Sequence, residues 1–148
     1  MKPTSPTISI LRVMDNRSKL NQIIDVVHTH FFKGDGVLIM VPNETAASYI
    51  DNLLWQTPAE SFLPHAIIRA HEEEKLEKIT LKEMIAITTL EENINQATVL
   101  INLLPTAPLH LDTFHLIYDL LDHTHPDKTE LSLKRHAVYA IHKLPQKR

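Results

Sequence analysis

A chain of 148 residues, 43% of them hydrophobic, is the size of one domain and can bury one substantial core. The absence of cysteine excludes disulfides, thiol catalysis and cysteine-ligated zinc or iron–sulfur centres, which leaves carboxylate, histidine, hydroxyl and amine chemistry. The formal charge of -3 is unevenly spread: residues 124–148 hold six Lys or Arg against Asp127 and Glu130, while the rest of the chain is acidic, a distribution poorly suited to wrapping duplex DNA with a broad basic face.

Met1-Lys2-Pro3-Thr4-Ser5-Pro6 runs straight into a short apolar stretch and does not read as a signal peptide, and no segment approaches the ~18 apolar residues of a membrane span, so a cytoplasmic protein with no membrane partner is expected. Ile8 to Met14 reads as a first strand, from its β-branched residues and partial alternation. Asp15 to Ser18 offers capping side chains, after which Leu20, Ile23, Ile24, Val27 and Phe31 recur with the spacing of an amphipathic helix that Gly34 ends. Val37 to Val41 is an uninterrupted apolar run between Gly36 and Pro42, the pattern of a strand covered on both faces. Asn43 can cap the next helix, whose buried stripe is Ala46, Ala47, Ile50, Leu53 and Leu54.

Trp55 to His65 is neither good helix nor good strand, because Pro58 and Pro64 each lack an amide donor and push the preceding residue toward extended backbone. It nevertheless holds the only Trp and one of the four Phe, so it either plugs the core or presents a binding surface. Ala66 to Ala70 fits a short strand or a loop, and Glu72 to Lys78 a solvated connection. Ile79 to Leu81 and Met84 to Thr88 are short candidate strands, and Thr98 to Leu104 is a stronger one, ended by Pro105 and Pro108. From Leu109 the spacing of Leu109, Phe114, Ile117, Leu120 and Leu121 predicts a helix, broken at His123 to Asp127 and followed by another in which Leu131, Arg135, Val138 and Tyr139 mark the turns. Alternating strands and helices imply a single α/β domain over residues 1–148, a three-layer Rossmann-like arrangement around a mostly parallel sheet.

Such folds often bind nucleotides, but the first strand-to-helix turn, Asp15-Asn16-Arg17-Ser18, has no glycine, and Gly34 and Gly36 are the only two in the chain. Neither a dinucleotide fingerprint nor a phosphate-binding loop can be built, and no cofactor is expected. The ten histidines offer no metal spacing of note: His110 and His115 are five apart, and His123 with His125, near Asp122 and Asp127, form only a weak chelating pattern. Ser61 with Glu60 and His65 superficially suggests a nucleophile, yet Phe62 and Pro64 favour packing, and His65 reads as a hydrogen-bonded structural residue.

Asp51, Leu54 and Trp55, followed by Ser61-Phe62-Leu63-Pro64-His65, resemble the signature of the chi subunit family of bacterial DNA polymerase III. Lys78 to Leu81, Val99 to Leu103 and the string Phe114 to Asp122, which is similar to a helical motif of that family, extend the likeness at lower specificity. The resemblance implies a non-catalytic clamp-loader accessory subunit that links the polymerase holoenzyme to single-stranded DNA-binding protein. It implies a surface for a psi subunit or an equivalent clamp-loader component at Trp55, Phe62 and Pro64, and indirect contact with DNA. It also implies a site for the acidic, aromatic-ended tail of single-stranded DNA-binding protein at Lys128, Lys134, Arg135, His136 and Tyr139, where cations would meet carboxylates beside an apolar notch. The last helix departs from the family pattern: Arg135 and Tyr139 are kept, His136 stands where an aromatic is usual, and Leu133 and Ala140 replace basic residues. An alternative from a different class is a small hydrolase or nucleotide-processing enzyme using His and carboxylates at the strand ends, which would require side chains to converge there in a pocket.

Overall fold

The computed structural model describes residues 5–56, 65–68 and 85–147. The elements are β1 (Thr7–Val13), α1 (Asn16–Phe32), β2 (Val37–Met40), α2 (Glu44–Trp55), β3 (His65–Ile68), β4 (Ile85–Thr88), β5 (Val99–Asn102), β6 (Leu116–Asp122), α3 (Pro126–Ile141) and β7 (Gln146–Lys147). The strands form one seven-stranded sheet in the order β3-β4-β2-β5-β6-β1-β7, and every pairing is parallel. The expected α/β architecture is therefore present, with the parallel character complete among the described strands.

Local chemistry explains the boundaries. Asp15 accepts the Ser18 amide at 2.7 Å and Asn43 accepts that of Ala46 at 2.9 Å, so α1 and α2 each start on a side chain that satisfies an otherwise orphaned donor. Gly34 stops α1 with φ +86, backbone that a side chain would strain. His125 caps α3 through Nδ1, which accepts the Asp127 amide, and Pro126 occupies the first turn where no donor is needed.

The sheet separates two cores. Val26, Val27, Ala47, Ile50 and Leu54 from α1 and α2 pack on Val37, Ile39, Ile87, Val99 and Ile101. On the other face Tyr139 of α3, with Ile94, Leu104 and Phe114 from the connections around β5, covers Ile8, Leu38, Met40, Leu100 and Ile117. Alternate residues of one strand thus serve opposite cores, and β2, buried throughout, reads as the unbroken apolar run a doubly covered parallel strand requires.

The helix expected from Leu109 through Leu121 is not there: Leu116–Asp122 is β6, paired with β1 over seven residues and with β5, and Leu109 is 74% exposed. Ile117 and Leu120 sit in the core as predicted, but the apolar spacing of this short segment is shared by a strand buried on both sides, and neighbouring β1 and β5 supply hydrogen-bond partners that an isolated helix would not use. Ala66 resolves as strand, within β3, and the strand expected at Met84 to Thr88 is β4. Ile79 to Leu81 and the charged stretch Glu72 to Lys78 lie outside the described residues. In α1 the buried face comprises Ile23, Val26, Val27 and His30. His30 is tolerated there because Nδ1 lies 2.8 Å from Asp35 Oδ2 and Nε2 2.7 Å from the Tyr118 hydroxyl, which satisfies both ring nitrogens. Burial, followed by the nearby charge of Asp35, raises the Tyr118 pKa.

Candidate functional site

At the carboxyl ends of β2, β5 and β6 the chain leaves a crevice of about 870 Å³, the position where open parallel sheets place their ligands. Its apolar surface comes from Leu20 and Ile23 of α1, Tyr49 and Ile50 of α2, Leu103 to Pro105 after β5, and Leu120 and Leu131. Among the described residues three side chains bring positive charge to it: Lys19, Lys128 and Arg135. The three described helices begin at this edge, so Asn16, Asn43 and Lys128 bring the N-terminal turns of α1, α2 and α3 to the rim, adding positive partial charge from helix-end amides.

The three cations are not equivalent. Lys19 Nζ is 2.9 Å from Asp122 Oδ2, so its charge is largely answered from within the chain. Asp122 also accepts the Thr124 amide and hydroxyl through Oδ1. Burial works to raise its pKa, but the Lys19 and Thr124 hydrogen bonds outweigh that and lower it to about 2. Lys128 is exposed and has no ion pair among the described residues. Arg135 is only 7% exposed and forms the floor. Its Nε donates to Asp119 Oδ1 at 3.0 Å and Oδ2 at 3.3 Å, and its Nη2 to Leu120 O and Ser132 Oγ, both at 3.1 Å. Nη1 meets only Pro105 O, at 3.4 Å, and so keeps donor capacity toward the crevice.

Asp119 is fully buried and is the hub beneath this floor. Besides Arg135 it accepts from the Tyr139 hydroxyl and from Asn102 Nδ2 at 3.1 Å, and His136 Nε2 stands 3.3 Å from Oδ1. Burial raises its pKa, but hydrogen bonding from His136, the charge of Arg135 and the Tyr139 and Asn102 donors prevail and lower it. The Tyr139 phenol moves the other way, pushed far above its usual range by burial and then by the Asp119 charge.

Of the five residues expected to receive an acidic tail, Lys128 and Arg135 line the crevice. Tyr139 and His136 are buried against Asp119 and present no open surface. Lys134 is exposed, lies 3.4 Å from Glu130 on the next turn, and does not line the crevice. The five therefore do not form one patch: two face the cavity, two support it from below, and one points elsewhere. Sequence reading missed Lys19, Tyr49, Asn102 and Asp119. Asp119 is signalled twice, as an acid inside the apolar β6 run, since a buried carboxylate demands donors, and as a member of the family-like Phe114 to Asp122 string.

At the other end of α2, Trp55 is 54% exposed and packs on the His65 ring with centroids 4.5 Å apart. His65 is buried, with Nε2 3.1 Å from Asp51 Oδ1, so the first and last residues of the Asp51 to His65 string meet in space and His65 in turn supports the indole. Phe62, Pro64 and Ser61 lie outside the described residues. His123 and His125 gather no metal-binding group of three among the described residues, and His125 is spent on capping α3. No described helix is long and apolar enough to cross a membrane.

No curated protein matches the chain. Residues 10–143, from within β1 to just past α3, match the family described as DNA polymerase III chi subunit, HolC. The match takes in the Asp51 to His65 string, the Lys128 and Arg135 crevice and the Asp119 hub alike, and with that span the chain belongs to the chi subunit family of DNA polymerase III.

Proposed function

We propose that this chain is a non-catalytic accessory subunit of the replicative polymerase's clamp-loader complex, and that it tethers the holoenzyme to single-stranded DNA-binding protein by holding that protein's acidic, apolar-ended tail in the crevice. The observation that carries the reading is the pairing of an uncommitted cation at the rim, Lys128, and a part-used guanidinium at the floor, Arg135 Nη1, with walls of Leu20, Tyr49, Leu104 and Leu131. A carboxylate answers the first two and an apolar terminal side chain the rest. Charge sets a fast, salt-sensitive encounter, and the apolar contact gives selectivity. DNA is engaged indirectly, through the protein that coats it, and the working compartment is the cytoplasm.

The exposed Trp55, seated on His65, is the second contact, toward a psi-type subunit or an equivalent clamp-loader component, together with Phe62 and Pro64. A large aromatic fixed by its neighbours loses little side-chain entropy on binding, which suits an interface anchor. The crevice also sits where an enzyme of this fold would place its substrate, but among the described residues no histidine lines it and the lining carboxylate, Asp122, is engaged by Lys19 and Thr124, so these residues supply binding and not acid–base work. The test is isothermal titration of the full chain with an acidic peptide ending in a free aromatic residue, at low and raised salt, beside co-purification from cells. Binding that weakens with salt and is lost in Arg135→Ala, with clamp loader and single-stranded DNA-binding protein co-purifying, supports the reading; salt-independent or absent binding removes it.

A further inference from the structure

Arg135 reaches the crevice only through its Nη1 edge, because Nε and Nη2 are held by Asp119, Leu120 O and Ser132 Oγ. Arg135, only 7% exposed, lines the crevice with Leu104, Pro105 and Leu131, while Lys128 on the same lining is exposed. A carboxylate at the rim meets Lys128, and a chain end, the slimmest part of a peptide, is the group best able to follow the crevice to Nη1. The same Asp119 also fixes the opposite wall. It accepts from Asn102 Nδ2, and Asn102 in turn takes the Leu104 amide on Oδ1 and donates to Thr106 O, both at 3.2 Å, which shapes the 102–106 turn. One buried carboxylate therefore holds the floor on α3 and the wall after β5 in a single arrangement.

We propose that Asp119 is the positioning residue of the site, orienting Arg135 so that its free edge reads the terminal carboxylate of the bound tail; this rests on the tail-binding reading above. The proposal makes a prediction whose sign is opposite to that of charge alone. Asp119 partly cancels the Arg135 charge, so on electrostatics alone Asp119→Asn, which deletes a negative charge about 3 Å from the cation, would tighten the grip on an acidic peptide. Positioning predicts the reverse, because a released guanidinium has to be re-ordered for each binding event.

The experiment titrates wild type, Asp119→Asn and Arg135→Lys with two acidic peptides that differ only in a free or an amidated C-terminus, after far-UV circular dichroism and melting have shown each variant folded at the assay temperature. Wild type is expected to prefer the free acid, and both variants to lose roughly three- to tenfold for the free acid with little change for the amide, as expected when one long side chain loses its ordering. General loosening of the fold would weaken both peptides equally and overturns the proposal, as does Asp119→Asn binding the free acid as well as wild type or better. If Asp119→Asn does not fold, Arg135→Lys decides: it keeps the charge and loses the fork, and undiminished preference for the free acid overturns the proposal. Failure of wild type to bind either peptide removes the tail-binding reading and this inference together.

Discussion

Replacing Asp119 by Ala should destabilise the fold more than any other single truncation of a polar side chain in the network beneath the crevice. The carboxylate has no solvent exposure and accepts from Arg135, Asn102 and Tyr139, so its removal leaves a guanidinium 93% buried with no counter-charge and a buried phenol without its acceptor. Breaking one side of a buried pair costs about 3–5 kcal/mol, chiefly through the uncompensated charge. In a chain of this length each kcal/mol moves the melting temperature by about 2–4 °C, so a drop of roughly 6–20 °C is expected. Because the penalty comes from stranding the cation, Asp119→Ala combined with Arg135→Met should recover most of the loss. The assay is urea unfolding followed by far-UV circular dichroism for both single variants and the double, arranged as a double-mutant cycle. A single-variant loss under about 1 kcal/mol, or strictly additive effects, would refute the idea that the two residues form one buried unit.

Other consequences are more local. Asp122 has a pKa lowered to about 2, below the ordinary Asp value of about 3.9, so the stability it contributes is complete above about pH 4 and is lost as pH falls toward 2; urea midpoints against pH should show a shallower acid loss in Asp122→Asn than in wild type, and identical slopes would contradict the Lys19 pairing. Gly34→Ala should lose about 1–2 kcal/mol in the same unfolding assay, because φ is +86 while the space around the position is open; no loss would mean that the turn relaxes freely. Trp55→Ala should cost less than about 1.5 kcal/mol, the indole being 54% exposed and in ring contact with His65. As the only Trp it reports on its own surface: its emission should respond to a psi-type partner and stay unchanged on addition of tail peptide, and the opposite pattern would exchange the two sites.

The parts of the fold legible in the sequence are those where one local signal dominates. Val37 to Val41 and Val99 to Asn102 are apolar runs closed by Pro42 and Pro105 and could hardly be anything but covered strands; Asp15 and Asn43 announce their helices because an acceptor before an apolar stripe has one common use. Leu116–Asp122 differs from its expected helix because seven residues flanked by β1 and β5 carry a spacing that helix and buried strand share, and only the strand pairing decides between them. At the site, Lys128 and Arg135 were found through the family likeness, whereas Lys19 acts through Asp122, 103 residues away in sequence, and no local pattern reports such a contact. The Asp51 to His65 string carries a likeness whose physical basis only the structure supplies: Asp51 meets His65 and His65 carries Trp55, so the spacing reflects a chain of three side chains. The same likeness implies a surface role for Tyr139 and His136, but Asp119 draws both inward, where a buried carboxylate needs every donor it has.

Whether the strand-end crevice holds an acidic peptide end is decided by amide chemical-shift mapping of the isotopically labelled full chain during titration with the free-acid tail peptide. Perturbed amides are expected to cluster at Lys19, Tyr49, Leu104, Lys128, Leu131 and Arg135, with Trp55 unmoved. Perturbations confined instead to the outward side of α3, at Leu133, Lys134 and Ile141, would contradict it.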